Sequence, residues 1–364
     1  MNLDRTPSAA PSAPSAPAPL GAATAAPGLT VIVPAYNEAE TVVDTIRSLQ
    51  GQTIRPDEII VVDDCSSDAT AELASSLGVS VIRPPSNTGS KAGAQTFALQ
   101  RVKTDLVMAI DADTTLAPDA IELLLPAFED EEVAAACGFV LPRRVRTVWE
   151  RGRYIEYMLA FGFFKRVQDH YGKPLISSGC FSIYRTAELR ALGGWSTRTM
   201  AEDMDLTWTM YREGSKVRFL PEAVSYPIEP HNLDFLSKQL RRWSHGFVQN
   251  VRLHWRSLLG LGYLRSVVAV AFWDALLASL AYLVLIPVLA VVIDPLVLLA
   301  YLVDAPVVLV PVLWQARGRH EVRRALASFP SFFLLRVVNG IFMLRALWRE
   351  LIVSRPLLVY EKGH

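Results

Sequence analysis

The chain has 364 residues, with 36 Lys and Arg against 36 Asp and Glu and a formal net charge of zero. That balance removes the electrostatic case for nucleic acid as a partner, which shows as a basic excess on one face or domain. Hydrophobic residues make up 51% and mean hydropathy is +0.26, which points to membrane segments, while three widely spaced cysteines (Cys65, Cys137, Cys180) exclude a disulfide framework and a Cys-x-x-Cys metal knuckle.

Residues 1–28 are almost entirely Ala, Pro, Ser and Gly, with only Asp4 and Arg5 carrying side-chain charge. So little apolar bulk cannot offset the entropy of ordering, and the frequent prolines exclude a signal-peptide core. The segment reads as a disordered arm with polyproline character. From Leu29 to about residue 255, short apolar runs alternate with helical spacing. The runs are Thr30–Val33, Glu58–Asp63, Val79–Arg83 and Leu106–Ile110; the helical stretches are Glu38–Gln50, Ala69–Leu77 and Lys91–Val102. This alternation predicts an α/β domain with a parallel sheet and helices on both faces. Such sheets bind ligands at the carboxyl ends of their strands, so the residues after each run are the candidates for chemistry.

The first run ends in Pro34-Ala35-Tyr36-Asn37-Glu38 and the second in Asp63-Asp64-Cys65-Ser66-Ser67-Asp68. Ser66 or Ser67 is expected to cap the next helix, which leaves the two adjacent acids unexplained. The fourth run ends in Asp111-Ala112-Asp113. Two carboxylates at that spacing in a turn can converge on a hard cation, Mg²⁺ or Mn²⁺, with substrate phosphates filling other positions. A capped turn into the helix after Pro118 explains the triplet equally well. Lys91 follows Asn87-Thr88-Gly89-Ser90, a helix N-terminus suited to an anion, although such lysines are commonly just solvated. Further on stand Gly193-Gly194-Trp195, Ala201-Glu202-Asp203-Met204-Asp205 and Gln239-Leu240-Arg241-Arg242-Trp243. Gln239 and Trp243 are four apart and share a helix face. The outer face of that helix reads as amphipathic and interfacial.

Beyond Arg265 the character changes. Val267–Ile293 is apolar apart from Asp274 and Ser279; Asp294-Pro295 breaks it; Leu296–Trp314 is a second apolar run around Asp304. Twenty such residues cross a hydrocarbon core of about 30 Å. Residues 266–314 therefore read as a transmembrane hairpin. Basic residues flank both ends, Lys238 to Arg265 before it and Arg317 to Arg324 after it, which places both ends in the cytoplasm. In residues 315–364 a third apolar stretch, 329–347, is interrupted by Arg336 and Arg345. It is expected to lie in the interface or re-enter, the alternative being a span with Arg336 paired inside the bundle.

In this order and spacing, Asp63-Asp64, Lys91-Ala92-Gly93-Ala94, Asp111-Ala112-Asp113, Glu202-Asp203 and Gln239-x-x-Arg242-Trp243 resemble the processive-type family 2 glycosyltransferases. These include the cellulose, hyaluronan and poly-N-acetylglucosamine synthases. The resemblance covers residues 29–255 and implies a GT-A nucleotide-diphospho-sugar transferase fold, mostly parallel, with the Gln-x-x-Arg-Trp helix as part of the catalytic domain. It implies that Pro34, Tyr36, Glu38, Asp63, Asp64, Lys91 and Asp111 hold the nucleotide, and that Asp111 and Asp113 hold Mg²⁺ or Mn²⁺. Asp203 would be the base with Glu202 beside it. Ser178, Gly179, Cys180, Trp195, Gln239, Arg242 and Trp243 would face the diphosphate and acceptor. Two departures stand out: Ala201 replaces the Thr of many members, and two or three membrane segments after the domain, with none before it, are few for a polymer-conducting pore.

The implied reaction transfers a hexose or N-acetylhexosamine from a nucleotide-diphosphate sugar, UDP-linked by expectation, to a growing polysaccharide, with inversion. A single displacement turns an α-linked donor into a β-glycoside, and no motif supplies the second carboxylate nucleophile of a retaining enzyme. The alternatives are a non-processive enzyme acting on a membrane lipid and a catalytically silent sugar-nucleotide-binding subunit. Further synthase subunits are compatible with each. The expected place is the plasma membrane, multi-pass, with the catalytic domain cytoplasmic. The orientation has a direct test: in intact cells Asp294→Cys should react with a membrane-impermeant thiol reagent and Gly318→Cys should not. The opposite pattern overturns it.

Overall fold

The computed structural model describes residues 27–357. The arm read in residues 1–28 lies outside them but for Pro27 and Gly28. One eight-stranded sheet runs in the order β3-β2-β1-β4-β7-β6-β8-β5. Its first half is β1 (Leu29–Ala35), β2 (Glu58–Asp63), β3 (Ser80–Ile82) and β4 (Leu106–Ile110), all parallel. The crossovers are α1 (Val42–Gln50), α2 (Thr70–Ser76) and α3 (Lys91–Leu99). Both faces of these strands are covered. Val31 and Val33 of β1 pack into one apolar layer and Ile32 into the other. Successive side chains point to opposite faces, so a strand buried on both reads as a continuous apolar run. Ahead of α2 neither serine acts as the cap; Asp68 accepts from Thr70 N at 3.1 Å instead.

The second half is mixed. It comprises β5 (Thr115–Leu116), α4 (Ala120–Leu124), β6 (Val133–Val140), α5 (Val148–Leu159), α6 (Lys165–His170), β7 (Phe181–Arg185), α7 (Thr186–Ala191), α8 (Glu202–Arg212) and β8 (Lys216–Tyr226). Here β7 runs antiparallel to both β4 and β6, and β8 antiparallel to β5 but parallel to β6. The register Ile110↔Phe181 brings the start of β7 beside the end of β4. A purely parallel sheet would not have put those two ends together.

The Gln-x-x-Arg-Trp segment lies in α9 (Leu233–Leu258), whose cap Asn232 accepts from Phe235 N at 2.9 Å. The helical stretch Gly262–Val292 starts as α10 (Gly262–Trp273) and ends as α11 (Ile286–Val292). At the break, Asp294 accepts from Leu296 N at 2.7 Å. The chain returns through α12 (Ala305–Gly318), then forms α13 (Val322–Leu347), which continues helically to Ile352. By length and composition three helical stretches suffice to cross a membrane: Gly262–Val292, Pro295–Gly318 and Val322–Ile352. The third lies along the catalytic domain. Ala325 packs with Phe139 and Tyr154, Leu335 with Leu236 and Leu240 of α9, and Ala346 with Val248. Midway, Arg336 Nε is 2.9 Å from Asp304 and Nη2 is 3.3 Å from Asp274, which ties this helix to the hairpin before it.

Candidate active site

The carboxyl ends of β1, β2 and β4 converge because the three strands are parallel neighbours, with Ala35 opposite Asp63. Two non-glycine residues in the loops there have positive φ, Asn37 at 54° and Cys65 at 65°. Such conformations cost energy and persist only where neighbours fix them. The fixing bonds run between the loops: Ser67 N donates to Asn37 Oδ1 at 2.8 Å and Asn37 N to Ser66 Oγ at 2.9 Å. Thr41 Oγ1 donates to Glu38 Oε2 at 2.8 Å, while Tyr36 is exposed at the rim beyond Pro34. The two adjacent acids divide the work. Asp64 takes Thr88 N at 2.8 Å and Thr88 Oγ1 at 2.9 Å, so both its oxygens hold the loop before α3. Asp63 takes Ser66 N on Oδ1; its buried Oδ2 accepts no hydrogen bond, Arg83 Nε standing 3.4 Å away.

Lys91 is the hub of the site. Ser90 caps α3 by accepting from Gly93 N at 3.1 Å, and Lys91 leaves from the first turn. Its ammonium pairs with Asp111, donates to Gly179 O at 2.9 Å and lies 3.9 Å from Glu202. Gly179 N in turn donates to Asp203 Oδ2 at 2.8 Å, and Met204 N donates to Oδ1 at 2.9 Å. A Cβ on Gly179 would sit 2.9 Å from Asp203 Oδ2, so only glycine permits this approach. Burial pulls the Lys91 pKa down, but Asp111, Glu202 and Asp203 outweigh it and the net direction is up. Burial, then the charge of Asp203, pushes the Glu202 carboxyl up against Lys91. Burial also pushes the Cys180 thiol up, which keeps it protonated.

On α9, Gln239 and Trp243 do share a face, and one residue reads both. Arg153 of α5 donates from Nη2 to Gln239 Oε1 at 2.8 Å and sits 4.6 Å above the Trp243 ring. Around it lie Glu156, paired to the same guanidinium, and Glu229, whose Oε1 accepts from Tyr157 at 2.8 Å. Burial pushes the Glu229 carboxyl up despite Arg153. Lys165 donates to Ser178 Oγ at 2.8 Å over the Phe161 ring. Arg153, Glu229 and Lys165 carried no signal in the sequence, because each is an isolated charge within an ordinary helix or loop. Trp195 is the expected site residue that the fold does not bring to this group. It is 3% exposed, edge-on to Tyr184, with its backbone tied to Thr96 of α3.

Asp111 and Asp113 offer oxygen donors suited to Mg²⁺ or Mn²⁺. Among the described residues no group of three or more His, Cys, Asp or Glu gathers to hold a metal, so an ion there would draw its remaining ligands from substrate and water. The set fits a divalent ion brought in with a diphosphate rather than a protein-caged one.

The mixed α/β sheet is of the GT-A nucleotide-sugar type, as the solved structure below shows, and apolar helices follow it. Residues 30–193 match glycosyl transferase family 2, and the chain carries a domain of that family. Over 224 residues it is 30% identical to poly-β-1,6-N-acetyl-D-glucosamine synthase of Staphylococcus aureus (strain COL), covering 60% of this chain and 54% of that one. The Staphylococcus epidermidis counterpart is 29% identical over the same length. The chain thus spans about half the length of the curated relatives it matches. The fold is shared with a mannosyltransferase from Pyrobaculum calidifontis, solved in complex with GDP-Man and Mn²⁺, at a TM-score of 0.64 and 18% identity, covering 91% of this chain and 89% of that one.

Asp205, two residues past Asp203, is 1% exposed and binds Arg198 through both oxygens at 2.7 Å and His254 Nε2 at 2.6 Å. Burial pushes its carboxyl up, but the hydrogen bonds from His254 and Arg198 outweigh it and hold it below the usual range. A depressed carboxylate stabilises the fold above its unfolded pKa of about 3.9, and that contribution fades as pH falls through the folded value. Asp205→Asn should therefore lower stability at pH 7 by roughly 1–3 kcal/mol, charged hydrogen bonds being lost. The deficit should shrink as pH drops below about 4. Thermal unfolding of both proteins across pH checks this; a pH-independent deficit refutes it.

Proposed function

We propose that the chain is a membrane-bound, inverting glycosyltransferase that moves a hexose or N-acetylhexosamine from a UDP-linked donor to a growing polysaccharide. The observation that carries the reading is the Asp203 carboxylate, held by Gly179 N–H beside the Lys91–Asp111 pair at the strand ends. The relatives named as poly-β-1,6-N-acetyl-D-glucosamine synthases support a polysaccharide acceptor.

In this reading Asp203 accepts the proton of the attacking acceptor hydroxyl. The new C1–O bond forms as the C1–O–phosphate bond breaks on the opposite face, and the nucleoside diphosphate leaves. Lys91 and Arg242 meet the charge on that leaving group. A divalent cation held by Asp111 and Asp113 would, when bound, add Lewis-acid neutralisation of the diphosphate. Asp63, with its buried Oδ2 accepting no hydrogen bond, suits a donor group of the nucleoside. Pro34, Tyr36 and Glu38 would form the same wall, with Asp64 supporting it through Thr88. Ser178, Gly179, Cys180, Gln239 and Trp243 would line the acceptor side, the aromatic face of Trp243 serving a sugar ring.

For the membrane, we read the apolar hairpin of residues 266–314 as the part that enters the bilayer, with both ends cytoplasmic and Val312 and Ala316 of its return helix seated against Phe139 and Phe219 of the catalytic domain. We read the helix after it as interfacial. Its two ends, Ala325 and Glu350, both contact the catalytic domain, and its Leu326, Leu334, Ile341 and Trp348 face outward along one side. A helix of 26 residues is about 39 Å long, and a domain on one side of a bilayer cannot hold both ends of a crossing helix of that length. An interfacial position satisfies both faces.

Two measurements test the chemistry. Asp203→Asn should bind donor normally and transfer sugar at least about a hundredfold more slowly, since general-base catalysis contributes about 10²–10⁴-fold. Activity within a few-fold of wild type removes the base. Chelation by EDTA should abolish turnover, with Mg²⁺ or Mn²⁺ restoring it, and Asp113→Asn should weaken donor binding as well as rate. Full turnover in chelator removes the metal. Product that partitions into organic solvent would favour the lipid acceptor, and absence of donor turnover the silent subunit.

A further inference from the structure

The base-bearing segment starts without a conventional anchor. Ala201 is the residue before α8, and it offers no side-chain cap to the helix. Alanine at that position forgoes about 1 kcal/mol relative to Ser, Thr, Asp or Asn. Asp203 stands two residues on, so any shift in the start of α8 moves its carboxylate. Besides Gly179 N–H and Lys91, contacts from α9 hold the segment. Gly246 lies so close that a Cβ on it would be 2.6 Å from Ala201 Cβ and 2.8 Å from Ala201 N. Asn250 Nδ2 donates to Ala201 O at 3.1 Å and to Thr199 Oγ1 at 3.2 Å. Gln249 Oε1 accepts from Met200 N at 2.9 Å.

Gln249 is itself held from the membrane side. Its Nε2 donates to Glu350 Oε1 at 2.8 Å and to Leu357 O at 3.0 Å. Glu350 lies in the wide helical turn Trp348–Ile352 that ends the interfacial helix, and it is 1% exposed. The same oxygen is 2.6 Å from His245 Nδ1 and accepts from Leu357 N at 3.1 Å. Arg252 Nη1 donates to Glu350 O at 3.3 Å. Gln249, His245 and Leu357 N–H meet at this one oxygen while the buried Oε2 accepts no hydrogen bond, so losing any of the three leaves the carboxylate further undercompensated.

We propose that Gln249 is a positioning residue for Asp203, and that Glu350 fixes Gln249, so that the seating of the membrane-interfacial helix sets the geometry of the base. The relay runs from Glu350 through Gln249 and Met200 N–H to the Ala201-Glu202-Asp203 turn. It rests on the reading of Asp203 as base.

The test is a double-mutant cycle on the full-length protein in membranes, with nucleotide-sugar binding and transfer measured separately. Gln249→Ala should lower kcat at least about tenfold, the scale at which a displacement of under 1 Å acts, and leave donor Kd within about twofold. Glu350→Gln should do the same more weakly. In an Asp203→Asn background, Gln249→Ala should cost nothing further, because the group it positions is gone. In a Gln249→Ala background, Glu350→Gln should cost little further, because Glu350 acts on the base through Gln249. Multiplicative losses in the Asp203→Asn background, a loss confined to donor Kd, or wild-type kcat in Gln249→Ala each overturn the proposal. Should Gln249→Ala fail to accumulate in membranes, Glu350→Gln decides, by a lowered kcat at unchanged donor Kd that disappears in the Asp203→Asn background. Failure of the base reading is separate: it shows as high activity in Asp203→Asn by itself.

Discussion

The site depends on one ammonium. Lys91 is the cation through which β4, β7 and α8 meet, by way of Asp111, Gly179 O and Glu202. Asp203 and Glu202 are adjacent acids at the start of a mostly buried helix, and two like charges in a dry place repel. The helix N-terminus and Lys91 offset that repulsion. The Gly179 carbonyl accepts from Lys91 of α3 and the Gly179 N–H donates to Asp203, so the two peptide groups of one residue link α3 to the Asp203 carboxylate. An arginine there could not act as this compact point charge among three elements.

Arg153 plays the corresponding part at the Gln239–Trp243 face, at higher risk. Its guanidinium is buried and shared among Glu156, Glu229, Gln239 and the Trp243 ring. Buried ion pairs gain little net stability over an apolar packing, whereas removing one partner is costly. Arg153 gives the site geometry: it is the contact that fixes two residues of one helix face against α5. It also explains why Gln239 is glutamine. The amide accepts from Arg153 with its oxygen and faces Glu229 with its nitrogen, a pairing that neither Glu nor Leu reproduces.

The first half of the sheet was legible because parallel strands covered on both faces write themselves as unbroken apolar runs: Glu58–Asp63 and Leu106–Ile110 fall within the bounds read from the residues. The second half was not. The run Phe181–Arg185 alternates apolar with polar, and its partners β4 and β6 are distant in sequence, so nothing local states its direction. Site residues at strand ends were legible from position alone. Those acting through buried charge were not, since Arg153, His254 and Glu350 take their meaning from elements up to about a hundred residues away. Asp64 shows what position alone does not tell: beside Asp63 in the sequence, it holds Thr88 with both oxygens, a contact no local pattern announces. Trp195 follows a Gly-Gly turn that looks like a loop at a site, but apolar bulk and its bonds to Thr96 draw it into the core.

These parts share α9. Its amino-terminal turns carry Gln239, Arg242 and Trp243; its middle carries Gly246, Gln249 and Asn250 against the turn before Asp203; its end exposes Leu253 and Trp255. Like the end of α9, one side of α13 exposes apolar side chains, and Trp273 and Trp314 are exposed on the hairpin helices. A bilayer bounded by these side chains would meet the enzyme along α9 and α13 together. Residues that touch lipid and residues that hold the base would then be turns of the same helix. A rigid helix does not permit one set to move without the other. In such a protein the membrane is part of the scaffold that defines the catalytic geometry.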